Sequence, residues 1–179
     1  MRVIAGEFRS RRLKSIPGVA TRPTPDRLRE ALFDILGARV EGTVFVDAYA
    51  GTGAVGIEAL SRGASHAYFL ERNGAAVETI RENLASLGLE SRATVIPGGA
   101  ASHLKAREGA IVFLDPPYDL EREYAAALRE LGEAPPSLTM AQHSIRLELA
   151  ESYGRISRSR VVRQGDNAVS FYVETPAGG

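Results

Sequence analysis

The residues with the clearest chemical potential are Asp115-Pro116-Pro117-Tyr118, which follow the apolar run Ile111-Val112-Phe113-Leu114. Two consecutive prolines fix two φ angles and remove two N–H groups, so their carbonyls remain as acceptors without a neighbouring donor. Asp115 adds a carboxylate acceptor, and Tyr118 offers a ring on which a planar base can stack. The segment therefore suits a ligand that donates hydrogen bonds from an exocyclic amine on an aromatic ring.

Such an amine is a weak nucleophile because its lone pair is conjugated with the ring. Hydrogen bonds from its two protons to Asp115 and to the Pro116 carbonyl would hold the nitrogen nearer to tetrahedral. They would also stabilise the positive charge that develops when the nitrogen attacks an electrophilic methyl group. In-line positioning of the amine and the methyl group would supply much of the remaining rate.

A glycine-rich loop follows a predicted strand that ends at Asp47. Gly51, Gly53 and Gly56 have G-x-G-x-x-G spacing, and Glu71 ends the next predicted strand, 20 residues after Gly51. Glycines let the backbone turn tightly beneath a nucleotide, and a carboxylate after the second strand accepts hydrogen bonds from ribose hydroxyls. Two cofactors fit this pattern, a dinucleotide and S-adenosylmethionine.

Asp47 favours S-adenosylmethionine over a dinucleotide. Its carboxylate would repel the pyrophosphate of a dinucleotide. The same carboxylate would attract the sulfonium and ammonium groups of S-adenosylmethionine, directly or through water.

Short apolar strands alternate with amphipathic helices through the middle of the chain, the pattern of a parallel sheet covered on both faces. The predicted strands are Thr43–Asp47, Ala67–Glu71, Ala93–Pro97, Ile111–Asp115, Leu138–Gln142, Arg160–Gln164 and Ala168–Glu174. The predicted helices between them are Gly53–Arg62, Ala75–Leu87 and Glu121–Leu131. The turn Gly165-Asp166-Asn167 joins the last two strands into an antiparallel hairpin. The expected fold is α/β, with a seven-stranded, mostly parallel sheet.

The zero net charge of the chain conceals an uneven distribution. Residues 1–39 carry nine basic and four acidic groups, and 20 of the 22 basic residues in the chain are arginine. Arginine pairs bidentately with phosphate, which favours a nucleic-acid partner. We therefore divide the chain into a basic extension, 1–39, and a catalytic domain, 40–179. The extension is expected to form a β-hairpin or ribbon and a helix with Thr24 as its N-cap.

Composition excludes several other classes. The chain has no cysteine, which removes disulfides and disfavours methylation at pyrimidine C5, a reaction that usually needs a cysteine nucleophile. Three scattered histidines give no expectation of a metal site. No apolar run approaches the roughly 18 residues of a membrane span, and the N-terminus lacks the apolar region of a signal peptide. We expect a cytoplasmic monomer without metal.

With these motifs placed, the sequence resembles the class I S-adenosylmethionine-dependent methyltransferases that modify exocyclic amines. Among them it is most similar to the bacterial 16S rRNA guanine-N2 methyltransferase family that acts at G966. The resemblance rests on the segments Met1–Gly6 with Arg9, Thr21–Phe33, Ala50–Gly63, Asp115–Tyr118 and Gly165–Tyr172. It implies a Rossmann-like fold and 16S rRNA in the 30S subunit, or in an assembly intermediate, as the substrate.

The resemblance also implies roles for individual residues. The guanine amine would be bound and oriented by Asp115, Pro116, Pro117 and Tyr118. The cofactor would be held by Asp47, Tyr49, Gly51, Thr52, Gly53, Glu71, Arg72, Gly99 and Ala100. The RNA would be contacted by Arg9, Arg11, Arg12, Arg22, Thr24 and Arg27. This chain departs from related enzymes at Gly98-Gly99-Ala100, where an aspartate is common, and at Ala141–Ser144, which is usually more acidic.

Three other functions are compatible with parts of the sequence. A DNA adenine-N6 methyltransferase would share the fold and the chemistry, but such enzymes usually carry a target-recognition insertion that is not evident here. An NAD(P)-dependent oxidoreductase would explain the glycine loop and Glu71, but would leave Asp47 and the Asp115–Tyr118 segment without a role. A non-catalytic RNA-binding protein would use only the basic extension.

Overall fold

The apolar runs of the sequence form one sheet in a computed structural model, which describes residues 1–16, 26–104, 109–117 and 121–176. The strands are β1 (Val44–Ala48), β2 (His66–Glu71), β3 (Ala93–Pro97), β4 (Ile111–Leu114), β5 (Leu138–Ser144), β6 (Ser152–Tyr153), β7 (Ile156–Gln164) and β8 (Asn167–Glu174). The helices are α1 (Asp26–Leu36), α2 (Ala54–Ser61), α3 (Gly74–Leu87), α4 (Ala100–His103) and α5 (Glu121–Glu133), with 3₁₀ turns at Gly37–Val40 and Glu90–Arg92.

The strands are arranged in the order β3-β2-β1-β4-β5-β8-β7-β6. Strands β1 to β5 are parallel, because each connection between them returns across a face of the sheet through a helix. Strand β8 is antiparallel to β5, and β7 is antiparallel to β8. All the parallel strands end at one edge of the sheet, which we call the carboxyl edge, where open α/β folds bind their ligands.

The sheet has eight strands, one more than the sequence predicts. The additional strand, β6, has only two residues, which is too short for an alternation of apolar and polar side chains to be visible. Strand β7 begins at Ile156 rather than at Arg160, because a register shift between Arg158 and Arg160 interrupts its alternation. The α/β class, the parallel part of the sheet and the C-terminal antiparallel hairpin are confirmed.

Hydrophobic clusters cover both faces of the sheet. The first face is packed against α1, α2 and α3, and its buried strand residues include Phe45, Phe69, Phe113, Met140 and Val169. The second face is packed against α4 and α5, and its buried strand residues include Val46, Leu70, Leu114, Ala141 and Tyr172. Successive side chains of a strand point to opposite faces of the sheet. The face of each polar residue at the carboxyl edge therefore follows from the cluster to which its strand neighbours belong.

Residues 1–16, which we call the N-terminal arm, form a turn that lies against α2. Its ends meet at one isolated β-bridge between Arg2 and Arg12, so the predicted hairpin or ribbon is not formed by paired strands. Some backbone amides of the arm pair within it, as Val3 does with the Arg11 carbonyl at 3.0 Å, and others pair with α2, as Glu7 does with the Ser61 carbonyl at 2.8 Å. These bonds, rather than a second strand, hold the arm in place.

The arm and α1 share a core with the sheet. Val3, Leu13 and Leu28 are buried in the same cluster as Phe45. The division into residues 1–39 and 40–179 therefore stays a prediction about roles along the chain. The predicted N-cap at Thr24 lies outside the described residues, and α1 begins at Asp26.

The described residues contain neither a membrane-spanning helix nor a cluster of metal ligands. None of the helices in the described ranges combines the length and apolar character needed to cross a membrane. Among the same residues, no three histidine, aspartate or glutamate side chains lie together in a group that could hold a metal ion.

Candidate active site

The glycine loop joins the end of β1 to the start of α2 along the carboxyl edge. Gly51 and Gly53 have φ angles of 56° and 78°, in the left-handed region that favours glycine. Gly56 lies in the first turn of α2, where an added Cβ would overlap the ring of Phe69. The G-x-G-x-x-G spacing thus meets two separate requirements, a tight turn and a close contact between helix and strand.

Tyr49 is held in an unusual conformation at the beginning of this loop. Its φ angle of 64° places a non-glycine residue in the left-handed region, at a cost of about 1–2 kcal/mol. Its hydroxyl donates to Glu123 Oε2 of α5 at 2.8 Å. Burial and the bond to Glu123 raise the pKa of Tyr49, so the phenol stays neutral and the ring is fixed beside the loop.

Asp47 lies beneath the loop on the first face of the sheet and is 2% exposed. Its Oδ2 accepts a hydrogen bond from the Gly56 N–H at 2.8 Å, which ties β1 to α2. Burial raises the pKa of Asp47 well above its usual range, and the negative charges of Asp115 and Glu71 raise it further, while the Gly56 bond lowers it. The charges of Asp115 and Glu71 therefore act on Asp47 across the site.

The raised pKa of Asp47 predicts a pH-dependent penalty on stability. A carboxyl group with a higher pKa in the folded state binds protons more tightly there, so its contribution to stability falls as the pH rises from about 4 through the folded pKa. Asp47→Asn keeps an acceptor for Gly56 and removes this titration. Between pH 4 and pH 8, we expect the free energy of unfolding of Asp47→Asn to rise relative to that of the unmodified chain.

Urea unfolding at several pH values measures this difference. Asp34→Asn, at an exposed carboxylate on α1, controls for the loss of one negative charge. A constant difference between Asp47→Asn and the unmodified chain across this range would contradict the prediction.

Glu71, the last residue of β2, also contacts the glycine loop. Its Oε2 accepts from the Gly51 N–H at 2.9 Å, and its Oε1 accepts from the Asn73 N–H at 2.8 Å. The carboxylate thus joins the glycine loop to the start of α3, where the Asn73 side chain caps the helix. The predicted strand–loop–helix–strand–carboxylate arrangement is present, with Glu71 in contact with the first glycine.

The other predicted cofactor residues surround Glu71. Arg72 is exposed, and Gly99 and Ala100 lie at the start of α4. Gly98 donates to the Glu71 carbonyl at 2.9 Å, which brings the Gly98–Ala100 turn beside the end of β2. Their roles toward a cofactor stay predictions.

Thr52 connects the loop to a residue that the motifs did not identify, Asn83 of α3. The Asn83 side chain is 1% exposed; its Nδ2 donates to the carbonyls of Thr52 (3.1 Å) and Lys14 (3.2 Å). Its Oδ1 accepts from the Lys14 N–H at 2.7 Å. One amide therefore joins the N-terminal arm, α3 and the glycine loop. The only sequence signal was a polar residue within the apolar stripe of a predicted helix.

The Asp115 segment leaves β4 beside this loop. Asp115 is half-buried, Pro116 is buried and Pro117 is exposed, and the Asp115 N–H points to the Ala48 carbonyl at 3.4 Å. Tyr118 lies outside the described residues, so the predicted stacking ring stays a prediction. The carbonyl of Pro116 and the carboxylate of Asp115 follow directly after β4, as the sequence predicts.

Tyr124 of α5 supports this segment and was also missed by the motif analysis. Its side chain is fully buried, and its hydroxyl donates to the Gln142 carbonyl at 2.6 Å, with the Pro116 carbonyl at 3.4 Å. The hydroxyl has one proton and the Gln142 bond is much the shorter. The Pro116 carbonyl is therefore positioned by Tyr124 and retains acceptor capacity.

Four of the arginines predicted to contact RNA lie in the described part of the arm and α1. Arg9, Arg11, Arg12 and Arg27 are exposed, and Arg11 Nη2 donates to the Ser86 carbonyl at 3.0 Å. Arg22 and Thr24 lie outside the described residues. The described members of this set are accessible to a phosphate backbone, and their role stays a prediction.

Known proteins provide independent comparisons. A family model described as "Conserved hypothetical protein 95" matches residues 1–173. The chain is 36% identical to "Putative rRNA methyltransferase YlbH" of Bacillus subtilis over 181 residues, which covers 96% of this chain and 98% of that protein. It is 40% identical over 121 residues to "Ribosomal RNA small subunit methyltransferase D" of Escherichia coli K12, covering 66% of this chain and 60% of the relative.

The fold agrees with these sequence matches. The solved structure of "Putative methyltransferase yhhF" from Escherichia coli superposes with a TM-score of 0.84, covers 97% of both chains and is 29% identical. The predicted resemblance is thereby confirmed at the level of the family and the fold. On these matches, the chain belongs to the family described as conserved hypothetical protein 95, within the class I methyltransferases that resemble small subunit methyltransferase D.

Proposed function

We propose that this chain transfers a methyl group from S-adenosylmethionine to the exocyclic N2 amine of a guanine in 16S rRNA. The substrate would be the small ribosomal subunit or one of its assembly intermediates. The observation that carries the proposal is the pair of acceptors at the carboxyl edge, Asp115 and the Pro116 carbonyl, beside a glycine loop bordered by carboxylates. Relatives named as rRNA methyltransferases support RNA as the substrate class.

The charges around the loop fit S-adenosylmethionine. The negative charges of Asp115 and Glu71 raise the pKa of Asp47, which supports a site that disfavours additional negative charge. A pyrophosphate would meet the same repulsion. A cofactor with a sulfonium and an ammonium group would relieve it, and when bound it would supply an electrophilic methyl group.

The protein residues would act mainly by positioning. Asp115 and the Pro116 carbonyl would accept the two N2 protons of guanine, hold the amine in line with the methyl group and stabilise the charge developing on nitrogen. S-adenosylmethionine, when bound, would supply the methyl group, and its sulfur would keep the electron pair of the carbon–sulfur bond while Asp115 and the Pro116 carbonyl would hold the nitrogen that takes the methyl group. A proton then leaves the nitrogen, and water can accept it once the methyl group has been transferred.

The target base must leave its stack for its N2 amine to reach this edge. Arg9, Arg12 and Arg27 would contact backbone phosphates around the extruded nucleotide, fixing orientation rather than reading sequence. A structured particle supplies the remaining selectivity in this proposal, because phosphate contacts alone carry no sequence information.

Glu71→Gln tests the cofactor assignment. The Glu71 carboxylate accepts from the N–H groups of Gly51 and Asn73. In glutamine one of the two oxygens is replaced by an NH₂ group, which cannot accept, so one charge-assisted hydrogen bond would be lost. Such bonds contribute about 1.5–3 kcal/mol, so we expect the affinity for S-adenosylmethionine to fall by about tenfold to a hundredfold. Calorimetry measures the affinity for S-adenosylmethionine and compares it with the affinity for NAD, the alternative ligand.

Glu78→Gln is the matched control, since Glu78 is exposed on α3 and pairs only with Arg81 among the described residues. It should bind S-adenosylmethionine like the unmodified chain. An unchanged affinity in Glu71→Gln, or tighter binding of NAD than of S-adenosylmethionine, would refute the assignment.

The reaction itself is tested with 16S rRNA and with 30S particles from a strain that lacks this protein. Tritiated methyl incorporation, followed by mapping of the modified nucleotide, should locate the label on N2 of a guanine. Incorporation at an adenine, or into DNA only, would overturn the proposal.

A further inference from the structure

Gln142 near the end of β5 is a buried polar residue that the proposed mechanism has not yet used. Its side chain is 3% exposed, and its Oε1 has no hydrogen-bond partner among the described residues. The backbone carbonyl of the same residue is paired, because it accepts from Tyr124. The neighbouring side chain of His143 is paired at both ring nitrogens, to the Ser144 carbonyl and to Ser170 Oγ.

The register of the sheet places Gln142 next to Asp115. Strands β4 and β5 are parallel, with Leu114 opposite Ala141 and Phe113 opposite Met140. Continuing the register by one residue sets Asp115 beside Gln142. Phe113 and Met140 belong to the first face, so alternation puts Asp115 and Gln142 on that face as well, at the carboxyl edge.

A structural role explains this amide poorly. A buried amide without a partner destabilises the folded state relative to an apolar side chain of the same size. Thr139 Oγ1 is also unpartnered, but it lies beside Val112, away from the carboxyl edge. Gln142 is the one of these two β5 residues that adjoins the proposed methyl-acceptor site, where a ligand can supply the missing partner.

We propose that the Gln142 amide recognises the guanine base, an inference that rests on the proposed function. Guanine presents an acceptor at O6, a donor at N1–H and the N2 amine along one edge. With N2 held by Asp115 and Pro116, the adjacent N1–H can donate to Gln142 Oε1, and O6 can accept from Gln142 Nε2. An amide offers this acceptor and donor side by side, as it does when it pairs bidentately with other bases.

The same arrangement disfavours adenine. An adenine with its N6 amine at Asp115 would present an unprotonated N1 to Gln142 and no oxygen in the position of O6. Reversing the amide would satisfy N1 but would leave the Oε1 acceptor buried without a partner. Gln142 is thus a specificity-determining residue in this proposal, while Asp115 and Pro116 hold the reacting amine.

A double-mutant cycle, which combines one substitution in the protein with one replacement of the base, isolates the proposed contact between Gln142 and guanine. The target guanine in reconstituted 30S particles is replaced by 2-aminopurine, which keeps the N2 amine and lacks both O6 and N1–H. The protein change is Gln142→Met, which keeps the length of the side chain and removes the amide. Methylation of both particles by both proteins is measured as kcat/KM.

The unmodified protein should prefer guanine over 2-aminopurine, and Gln142→Met should reduce that preference by on the order of tenfold to a hundredfold. The variant should lose activity on guanine while its activity on 2-aminopurine and its affinity for S-adenosylmethionine stay within a few-fold. Its melting temperature should equal or exceed that of the unmodified protein. Gln164→Met, at an exposed glutamine on β7, is the matched control and should leave the preference unchanged.

The outcomes separate the two proposals. If guanine is methylated at N2 but the preference is the same in both proteins, Gln142 does not recognise the base and the proposed function stands. If the unmodified protein methylates 2-aminopurine with the same kcat/KM as guanine, this inference fails, whether or not the variant folds. If neither particle is methylated at N2, the proposed function fails and this inference fails with it.

Discussion

Replacing Asp115 with alanine is expected to lower the rate of methyl transfer by about 10²- to 10⁴-fold while S-adenosylmethionine still binds. Asp115 is the only side-chain acceptor proposed to contact the N2 amine, and in that proposal its carboxylate would face the charge that develops on nitrogen. Single-turnover methylation of 30S particles, with cofactor affinity measured by calorimetry, separates a chemical defect from a binding defect.

A second substitution at Asp115 and a control at another carboxylate test this expectation further. Asp115→Asn keeps an acceptor but loses the negative charge, so its rate should lie between those of Asp115→Ala and the unmodified protein. Asp34→Ala removes an exposed carboxylate on α1, whose nearest ion-pair partner is Arg62 at 3.8 Å, and should leave the rate unchanged. An Asp115→Ala rate within tenfold of normal, with the fold and cofactor affinity intact, would remove Asp115 from the mechanism.

The sequence predicted the parts of the site that depend on local chemistry. Glycines at Gly51 and Gly53 meet a positive φ requirement that few other residues can meet, and a carboxylate at the end of a parallel strand reaches the carboxyl edge in any such sheet. These constraints act within a few residues, so spacing alone reveals them. The contact of Glu71 with Gly51 follows from the same βαβ geometry.

The sequence did not predict the contacts made between distant segments. Asn83 is separated by 69 positions from Lys14, and Tyr124 by 18 from Gln142. Neither type of residue is distinctive within an amphipathic helix, so only the packed structure shows what it joins. The direct bond from Asp47 to Gly56 was missed for a related reason: the charge of Asp47 suggested a ligand, whereas its burial shows that it also holds the loop.

The second large effect is expected on the stability of the fold, when the carboxylate that attaches the N-terminal arm to α2 is removed. Glu58 of α2 is fully buried and accepts from the N–H groups of Ile4 (2.8 Å) and Ala5 (3.0 Å). Its Oε1 also accepts from Arg62 Nε at 2.8 Å. Arg29 of α1 is buried as well, with its Nε 3.9 Å from Glu58 Oε2. One carboxylate therefore joins the arm, α1 and α2.

Glu58→Ala is expected to destabilise the fold by about 3–5 kcal/mol, because it removes the buried acceptor of the Ile4 and Ala5 amides and one of the two carboxylates that offset the buried charge of Arg29. Burial lowers the pKa of Arg29 even though Glu58 and Asp26 raise it, so the cation is already disfavoured there. For a chain of this size the melting temperature should fall by about 10 °C. Urea unfolding measures the change in free energy.

Glu78→Ala, which breaks an exposed pair with Arg81, provides the comparison and should change stability by less than about 0.5 kcal/mol. Amide hydrogen exchange distinguishes general loosening from release of the arm: in Glu58→Ala the amides of Ile4 and Ala5 should lose protection more than those of β1. A loss below about 1 kcal/mol would mean that apolar contacts such as that of Val3, and not this carboxylate, hold the arm. If the larger loss is observed, the arm that carries Arg9 and Arg12 is fixed to the helix that follows the glycine loop, so RNA bound to the arm would have a defined position relative to Asp115.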